Sequence, residues 1–255
     1  MKFEEFFAQM FGERWPALRA ALVGESKKIE LESPFPETPQ VYRLDAASLM
    51  PAAWLAPQAG EVIGDFCSAP GGKLLSMIYA CQGRAEFHAY DLSKARASRL
   101  RSVLFDCLPE EIANAVSVRA LDASRLGQRD PDSFDAVLVD APCSGEAHLL
   151  ESSEEDRWTS KASQRLAVRQ HALLCSALDS TRPGGRVVYS TCSISPFEND
   201  GVIDKILKSR VGQVKVVTKE FDGSEATKHG RIVLPDRGVG GPIYAAFLQK
   251  VPMER

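Results

Sequence analysis

Two cysteines stand just beyond apolar runs, each in a short polar turn. Asp140-Ala141-Pro142-Cys143-Ser144-Gly145 follows residues 134–139, and Ser190-Thr191-Cys192-Ser193-Ile194 follows residues 186–189. A lone cysteine is usually a small buried hydrophobe. Two of them in this setting, one with Asp140 upstream, point instead to covalent chemistry on a pyrimidine. Carbon 5 of cytosine is a poor nucleophile. A thiolate adding at carbon 6 turns the ring into an enamine whose carbon 5 can attack a methyl sulfonium. Charge developing at ring nitrogen 3 needs an acid, and Asp140 suits that task if burial raises its pKa. A base then removes the carbon 5 proton, and a second cysteine can assist elimination of the first. Zinc is disfavoured, because no Cys-x-x-Cys pair or histidine cluster accompanies these cysteines.

The sulfonium requires its own site. Asp65-Phe66-Cys67-Ser68-Ala69-Pro70-Gly71-Gly72-Lys73 closes an apolar run with a glycine turn. Glycines there would let a ligand approach the backbone closely. Leu74 occupies the Ser/Thr position that an ATPase phosphate loop requires, and the spaced third glycine of the dinucleotide fingerprint is missing. Alone, the loop reads equally well as a structural turn. Asp91, directly after a second apolar run, can accept both ribose hydroxyls of a nucleoside cofactor. Asp122, with Ala123, can receive an adenine amino group. For either aspartate alone, helix capping is an equal explanation. Three such sites in series are harder to assign to capping.

The elements that must position these residues alternate. Apolar strands are expected at residues 61–66, 85–90, 115–120, 134–139 and 186–190, and the last two at 214–221 and 243–249. Helices are expected through 80, from 93, over 161–180 and from 198. Such alternation predicts an α/β fold: a doubly wound, mostly parallel, seven-stranded Rossmann-like sheet. Ligands in these sheets lie beyond the carboxyl ends of the strands, so the five sites should converge in one pocket. Residues 1 to about 30 read as helical, with Phe3, Phe6, Phe7, Met10 and Phe11 at helical spacing. The segment 33–39 holds three prolines and reads as an arm. The expected division is a short helical extension with a proline-rich arm over 1–40 and a catalytic domain over 41–255.

The chain has 255 residues and a formal net charge of -3. That balance lacks the basic footprint of a nucleic-acid binder, so RNA contact must come from local patches. Lys94, Arg96, Arg99 and Arg101 form one candidate; Arg157, Lys161, Arg165 and Arg169 form another. Glu4, Glu5 and Glu13 exclude a signal peptide in the first stretch. No uncharged apolar run reaches the roughly 18 residues of a membrane span. Six cysteines without close pairing read as reduced thiols in a cytoplasmic protein.

These motifs together resemble the RsmB/NOP2/Sun family of RNA cytosine-5 methyltransferases, most like its mitochondrial ribosomal-RNA member. The likeness covers about residues 40 to 250. It extends through Ile194-Ser195-Pro196-Phe197-Glu198-Asn199, Arg231-Ile232-Val233-Leu234-Pro235 and Gly241-Pro242-Ile243-Tyr244. Ser68 and Leu74 replace the family's usual alanine and threonine. The resemblance implies S-adenosyl-L-methionine as cofactor, lined by Cys67, Ser68, Ala69, Pro70, Gly71, Gly72 and Lys73. It places Asp91 on ribose, Asp122 and Ala123 on adenine, Arg96 near the cofactor, and Asp140 between cofactor and base. Cys192 becomes the nucleophile and Cys143 the release cysteine, and Asp140 and Lys73 complete the expected catalytic set. The additional RNA-binding domains that many relatives carry are not expected within these 255 residues. The expected substrate is ribosomal RNA, with transfer RNA as the alternative and a ribosomal subunit or accessory RNA-binding protein as a partner. No membrane or metal is expected. A DNA-type enzyme would attack with Cys143, which Thr191-Cys192-Ser193 argues against. A small-molecule or protein methyltransferase would leave the two cysteines unexplained. A non-catalytic RNA- or ribosome-binding protein on this fold remains a third reading.

Overall fold

The computed structural model describes residues 1–252. Two helices, α1 (Phe3–Phe11) and α2 (Trp15–Leu22), precede a small antiparallel hairpin of β1 (Lys28–Leu31) and β2 (Tyr42–Asp45). After α3 (Leu49–Leu55) the alternation begins: β3 (Val62–Phe66), α4 (Gly72–Ala80), β4 (Glu86–Asp91), α5 (Lys94–Cys107), α6 (Glu110–Ala115) and β5 (Ser117–Ala120). The short α7 (Leu126–Arg129) leads into β6 (Phe134–Asp140), α8 (Glu146–Glu151), α9 (Ser160–Ser180) and β7 (Thr181–Thr191). The chain ends with α10 (Asp200–Ser209), β8 (Val214–Val217), β9 (Ser224–Ala226), β10 (Arg231–Val233) and β11 (Ile243–Lys250).

The main sheet runs β5-β4-β3-β6-β7-β11-β10-β9, with β8 also on β11. Strands β3 to β7 are parallel neighbours, while β11 lies antiparallel to β7, β8 and β10. The chain moves outward from β3 to β5, then returns to lay β6 on the other side of β3. That reversal is the switch point where such sheets take ligands. Side chains of β6 alternate between two cores. Val137 and Val139 face α1, α2, α9 and α10, while Ala136 and Leu138 face α3, α4 and α5.

All seven expected strands are present; among the described residues the main sheet gains two more, the β1–β2 hairpin is a further addition, and several ends are shifted. The short β9 and β10 widen the sheet to nine strands. Helix stops at Leu22, not near residue 30, and Lys28–Leu31 is a strand paired to β2. Met10 is exposed, so the apolar stripe of α1 is carried by Phe3 and Phe7. Ala115 ends α6 instead of starting β5. Strand β7 begins at Thr181 because residues 182–185 bulge out of register against β6.

Candidate functional site

The register of β6 against β7 brings the two cysteine turns together. Asp140 lies opposite Ser190, and the Ser190 hydroxyl donates to Asp140 Oδ1 at 2.8 Å. Each chain leaves its strand within a few residues, which sets Cys143 Sγ 2.7 Å from Cys192 Sγ. A disulfide would be about 2.05 Å, and both cysteines are free thiols. Cys192 is exposed and Cys143 half-buried. The Cys143 thiol is pushed well above its ordinary pKa, first by its hydrogen bond with Cys192, then by burial and the charges of Glu146 and Glu198.

Beneath the cysteines lie two fully buried carboxyls, Glu146 and Glu198. Ser144 sits between them, its hydroxyl bonded to Glu146 Oε1 and 2.6 Å from Glu198 Oε1. Glu146 also accepts from the Trp158 indole and Ser193 Oγ, both at 3.0 Å, and from the Ile194 N–H at 3.1 Å. Glu198 accepts from Ser144 N–H at 3.0 Å, Ser163 Oγ at 2.6 Å and Gln170 Nε2 at 2.8 Å. Burial foremost, with Glu198 adding repulsion, pushes the Glu146 carboxyl up to about 7. Rings of Phe3, Phe6 and Phe7 close over Trp158, so α1 covers this network.

The loop after β3 forms the other wall. Gly71 has φ +118°, and a Cβ on it would lie 2.7 Å from Leu100 Cδ1. A Cβ on Gly72 would lie 2.8 Å from the Tyr42 ring. Tight packing by the protein itself, more than ligand approach, is what excludes side chains here. Lys73 Nζ pairs with Asp140 Oδ2 at 2.8 Å. Burial acts to lower the Lys73 pKa, but attraction to Asp140 outweighs it and the net shift is upward. Asp65 is buried; Ser68 Oγ donates to its Oδ2 at 2.6 Å, while Oδ1 has no partner among the described residues. Burial pushes its carboxyl up to about 7.

Asp91 Oδ1 accepts from the Ser93 N–H at 2.9 Å. Its Oδ2 is buried without a hydrogen-bond donor among the described residues; Arg96 Nε stands 3.4 Å away but makes no hydrogen bond to it. The Arg96 guanidinium donates to the Ala69 carbonyl instead. Asp122 is exposed and caps the following turn through the Ser124 N–H at 3.1 Å. Its partial burial acts upward, yet hydrogen bonds from Ser124 hold its pKa below the usual value.

Two cavities result. One, of about 240 Å³, is lined by Cys67, Asp91, Arg96, Asp122, Ala123 and Pro142 among others. The second, of about 140 Å³, holds Asp65, Ser68 to Lys73, Asp140 and Tyr42. Every residue expected at the site therefore lines one of these cavities or stands at the cysteine pair. Four contributors were not assigned roles from the sequence: Asp65, Tyr42, Glu146 and Glu198. Two carried a signal, since Asp65 opens the glycine loop and Glu198 closes the second cysteine motif. Among the described residues no cluster of potential metal ligands occurs.

Residues 52–249 match the family model described as 16S rRNA methyltransferase RsmB/F. The chain belongs to this family. Among its relatives, mouse 5-cytosine rRNA methyltransferase NSUN4 is 35% identical over 232 residues, covering 83% of this chain and 60% of the relative. The zebrafish (Danio rerio) tRNA (cytosine(34)-C(5))-methyltransferase, mitochondrial, is 35% identical over 226 residues, covering 83% and 61%. The chain thus spans about three fifths of the curated relatives it matches. NSun6 from Pyrococcus horikoshii, crystallised with SFG, an S-adenosylmethionine analogue, superposes with TM-score 0.71 at 25% identity, covering 88% of this chain and 57% of that one. The shared fold is the Rossmann-like methyltransferase sheet.

Proposed function

We propose that this protein transfers the methyl group of S-adenosyl-L-methionine to carbon 5 of a cytosine in RNA, with Cys192 as nucleophile and Cys143 as the release cysteine. The observation that carries the reading is the thiol pair, 2.7 Å apart, beside the Lys73–Asp140 ion pair. When bound, the cofactor supplies an electrophilic methyl group.

The residues present fit that cofactor. Asp91 Oδ2 is a buried acceptor without a donor, placed for a ribose hydroxyl. Asp65 Oδ1 is a second, placed in the cavity of the glycine loop for the ammonium of the methionine part. Asp122 and Ala123 line the far end for adenine, with Arg96 and Cys67 between.

Cys192, the exposed thiol, forms the bond to carbon 6 of the ring. Asp140 is held through both oxygens, by Lys73 and Ser190. The Lys73–Asp140 pair, more than an isolated carboxylic acid, is then the group that serves ring nitrogen 3. Once carbon 5 carries the methyl, a water molecule takes its proton, the C–H pair restores the carbon 5–carbon 6 double bond, and the carbon 6–sulfur pair leaves on Cys192. Cys143 stays a thiol because Cys192, burial and the neighbouring carboxyls disfavour its anion, so it keeps its proton and stabilises the departing Cys192 thiolate by donating an S–H···S hydrogen bond.

The surface that meets RNA is assigned to α9. From 157 to 178 the chain carries Arg157, Lys161, Arg165 and Arg169 and no acidic residue. Lys161, Arg165 and Arg169 are exposed, one helical turn of about 5.4 Å apart, and Arg169 reaches the larger cavity. Phosphates there would release counterions, so binding should weaken steeply with salt. Ribosomal RNA is the favoured target, presented on a subunit or with an accessory RNA-binding protein that adds affinity to an acidic chain. Residues 1–40 act as an extension of the catalytic domain. The compartment we assign is the cytoplasm, where closely spaced Cys143 and Cys192 stay reduced; the mitochondrial tRNA enzyme among the relatives makes the organelle the alternative.

The test is methyl transfer from tritiated cofactor to rRNA fragments, subunit particles and tRNA, followed by bisulfite sequencing. Faster labelling of the ribosomal substrates is expected. A clear tRNA preference would move the target to the alternative, and no labelled cytosine in any RNA would overturn the reading.

A further inference from the structure

The Glu146–Ser144–Glu198 bridge does something that neither cofactor nor RNA binding requires. It ties both cysteine turns to one buried point. Ser144 adjoins Cys143, while Ser193 and Ile194 adjoin Cys192, and all three hold Glu146. Protons can be counted along the bridge. The Ser144 hydroxyl has one proton, yet it contacts Glu146 Oε1, Glu198 Oε1 at 2.6 Å and Ser193 Oγ at 3.2 Å. Ser193 Oγ accepts from the Ser195 N–H at 3.0 Å and spends its own proton on Glu146. Ser163 Oγ spends its proton on Glu198. With both carboxylates ionised, one of these two buried groups would face a serine lone pair. One further proton removes the conflict: a carboxyl donates to Ser144, which donates to the other carboxylate.

We propose that Glu146 and Glu198 are positioning residues that share one proton through Ser144, and that this proton holds Cys143 and Cys192 at reacting distance. The surroundings supply no counter-charge. Trp158, Ser163 and Gln170 from α9 and its approach, Ser193 and Ile194 from the turn after β7, and Ser144 before α8 are all neutral. The titratable neighbours are Cys143, Cys192 and Tyr189, whose hydroxyl donates to the Glu198 carbonyl. The raised pKa of Glu146 has the same sense, since burial and Glu198 favour its neutral form. When the proton leaves, two like charges meet at low dielectric and push the turns that carry the cysteines apart.

The role attached to the cysteines rests on the function proposed above, but the separation can be measured without RNA or cofactor. The rate of Cys143–Cys192 disulfide formation under a mild oxidant is compared between wild type and Glu146→Gln from pH 6 to 8.5. The variant, neutral at position 146, cannot place two like charges on the bridge and cancels the common dependence on thiolate. The expected ratio of variant to wild-type rate rises about tenfold across that range, and infrared difference spectra between the two show a protonated carboxyl only in wild type at pH 6. The difference spectrum also removes any band from Asp65. Glu146→Ala should lose the fast disulfide that Glu146→Gln keeps. A constant rate ratio, or no carboxyl band, would overturn the proposal. Failure of methyl transfer with a rising ratio would instead overturn the catalytic reading and leave the bridge standing.

Discussion

On the cofactor side of the switch point, Asp65 Oδ1 and Asp91 Oδ2 are buried without donors. On the cysteine side, Glu146 and Glu198 are each met by four polar contacts, and among the described residues only Gln170 Oε1 nearby lacks a partner. An unmet buried acceptor costs about 1–3 kcal/mol, which a ligand carrying the right donors recovers on binding. The first wall is therefore completed by its ligand. The second is built before substrate arrives, as a reacting pair must be if its geometry is to cost nothing at the moment of reaction.

The largest effects belong to the prebuilt wall. Cys192→Ala should abolish both methyl transfer and covalent RNA complex, a fall on the order of 10⁴-fold or more. Cys143→Ala should still attack and still transfer the methyl, then stall on its product through the carbon 6–sulfur bond. Denaturing gels read this directly: a protein–RNA band that appears with Cys143→Ala and vanishes in the double variant. A band in Cys192→Ala that is lost in Cys143→Ala would reverse the roles and break the assignment.

Next comes the wall that waits. Asp91→Ala removes the buried acceptor for ribose, and charge-assisted bonds of about 1.5–3 kcal/mol each predict at least a tenfold loss of cofactor affinity by calorimetry. The cysteine disulfide rate should stay unchanged in this variant. If it moved as well, the two walls would not be separable units.

How far the sequence reached follows the same division. Aspartates and glycines stand out after apolar runs, so the strand ends and their convergence were legible from spacing. The loop glycines were legible as well, but not their reason: Tyr42, about thirty residues upstream, fills the space over Gly72, and no local pattern announces a contact at that separation. Glu146 reads as an ordinary acidic first turn of α8. Its burial depends on Trp158 and on α1 folding over it, which are tertiary events. Hairpin β1–β2 escaped because its strands have four residues each, mostly half exposed, and a ten-residue connection through the proline arm.

Asp65 adds a pH dependence to the cofactor wall. Its carboxyl, near 7 because of burial, is neutral below that value. An ammonium brought against Oδ1 favours the anion, so binding must expel a proton. Affinity should therefore rise about fivefold from pH 6 to pH 7 and about a further twofold by pH 8, then level off. In the unliganded protein the sign is opposite. An aspartate carboxyl raised from 3.8 to about 7 takes up a proton on folding between those values, so stability falls as pH climbs from about 3.9 to about 7. Calorimetry in buffers of different ionisation enthalpy would count the released proton, and Asp65→Asn should abolish both dependences. Equal proton release in that variant would place the titrating group elsewhere.

The smallest expected effect tests whether the N-terminal helices serve one wall or both. Arg14 donates to Glu225 at 2.6 and 2.7 Å and to Asp236 at 2.6 and 2.8 Å, fastening the α1–α2 junction to the edge hairpin β9–β10 and its following turn. Its guanidinium pKa is raised by these partners, Glu225 first. The side chain is about a quarter exposed, so solvent screening keeps the pair energies modest. Arg14→Ala should cost about 1–2 kcal/mol overall, visible as a lowered Tm. The helices it anchors place Phe3 and Phe6 over Trp158, which donates to Glu146. Loosening them should slow release of methylated RNA a few-fold, through the cysteine wall, while Asp65 and Asp91 lie on β3 and β4, which meet α1 and α2 only as parts of one shared core. Cofactor affinity should therefore stay at the wild-type value. A parallel fall in cofactor affinity would mean that the extension braces the whole domain, and the contrast between the two walls would have to be redrawn as one of occupancy alone.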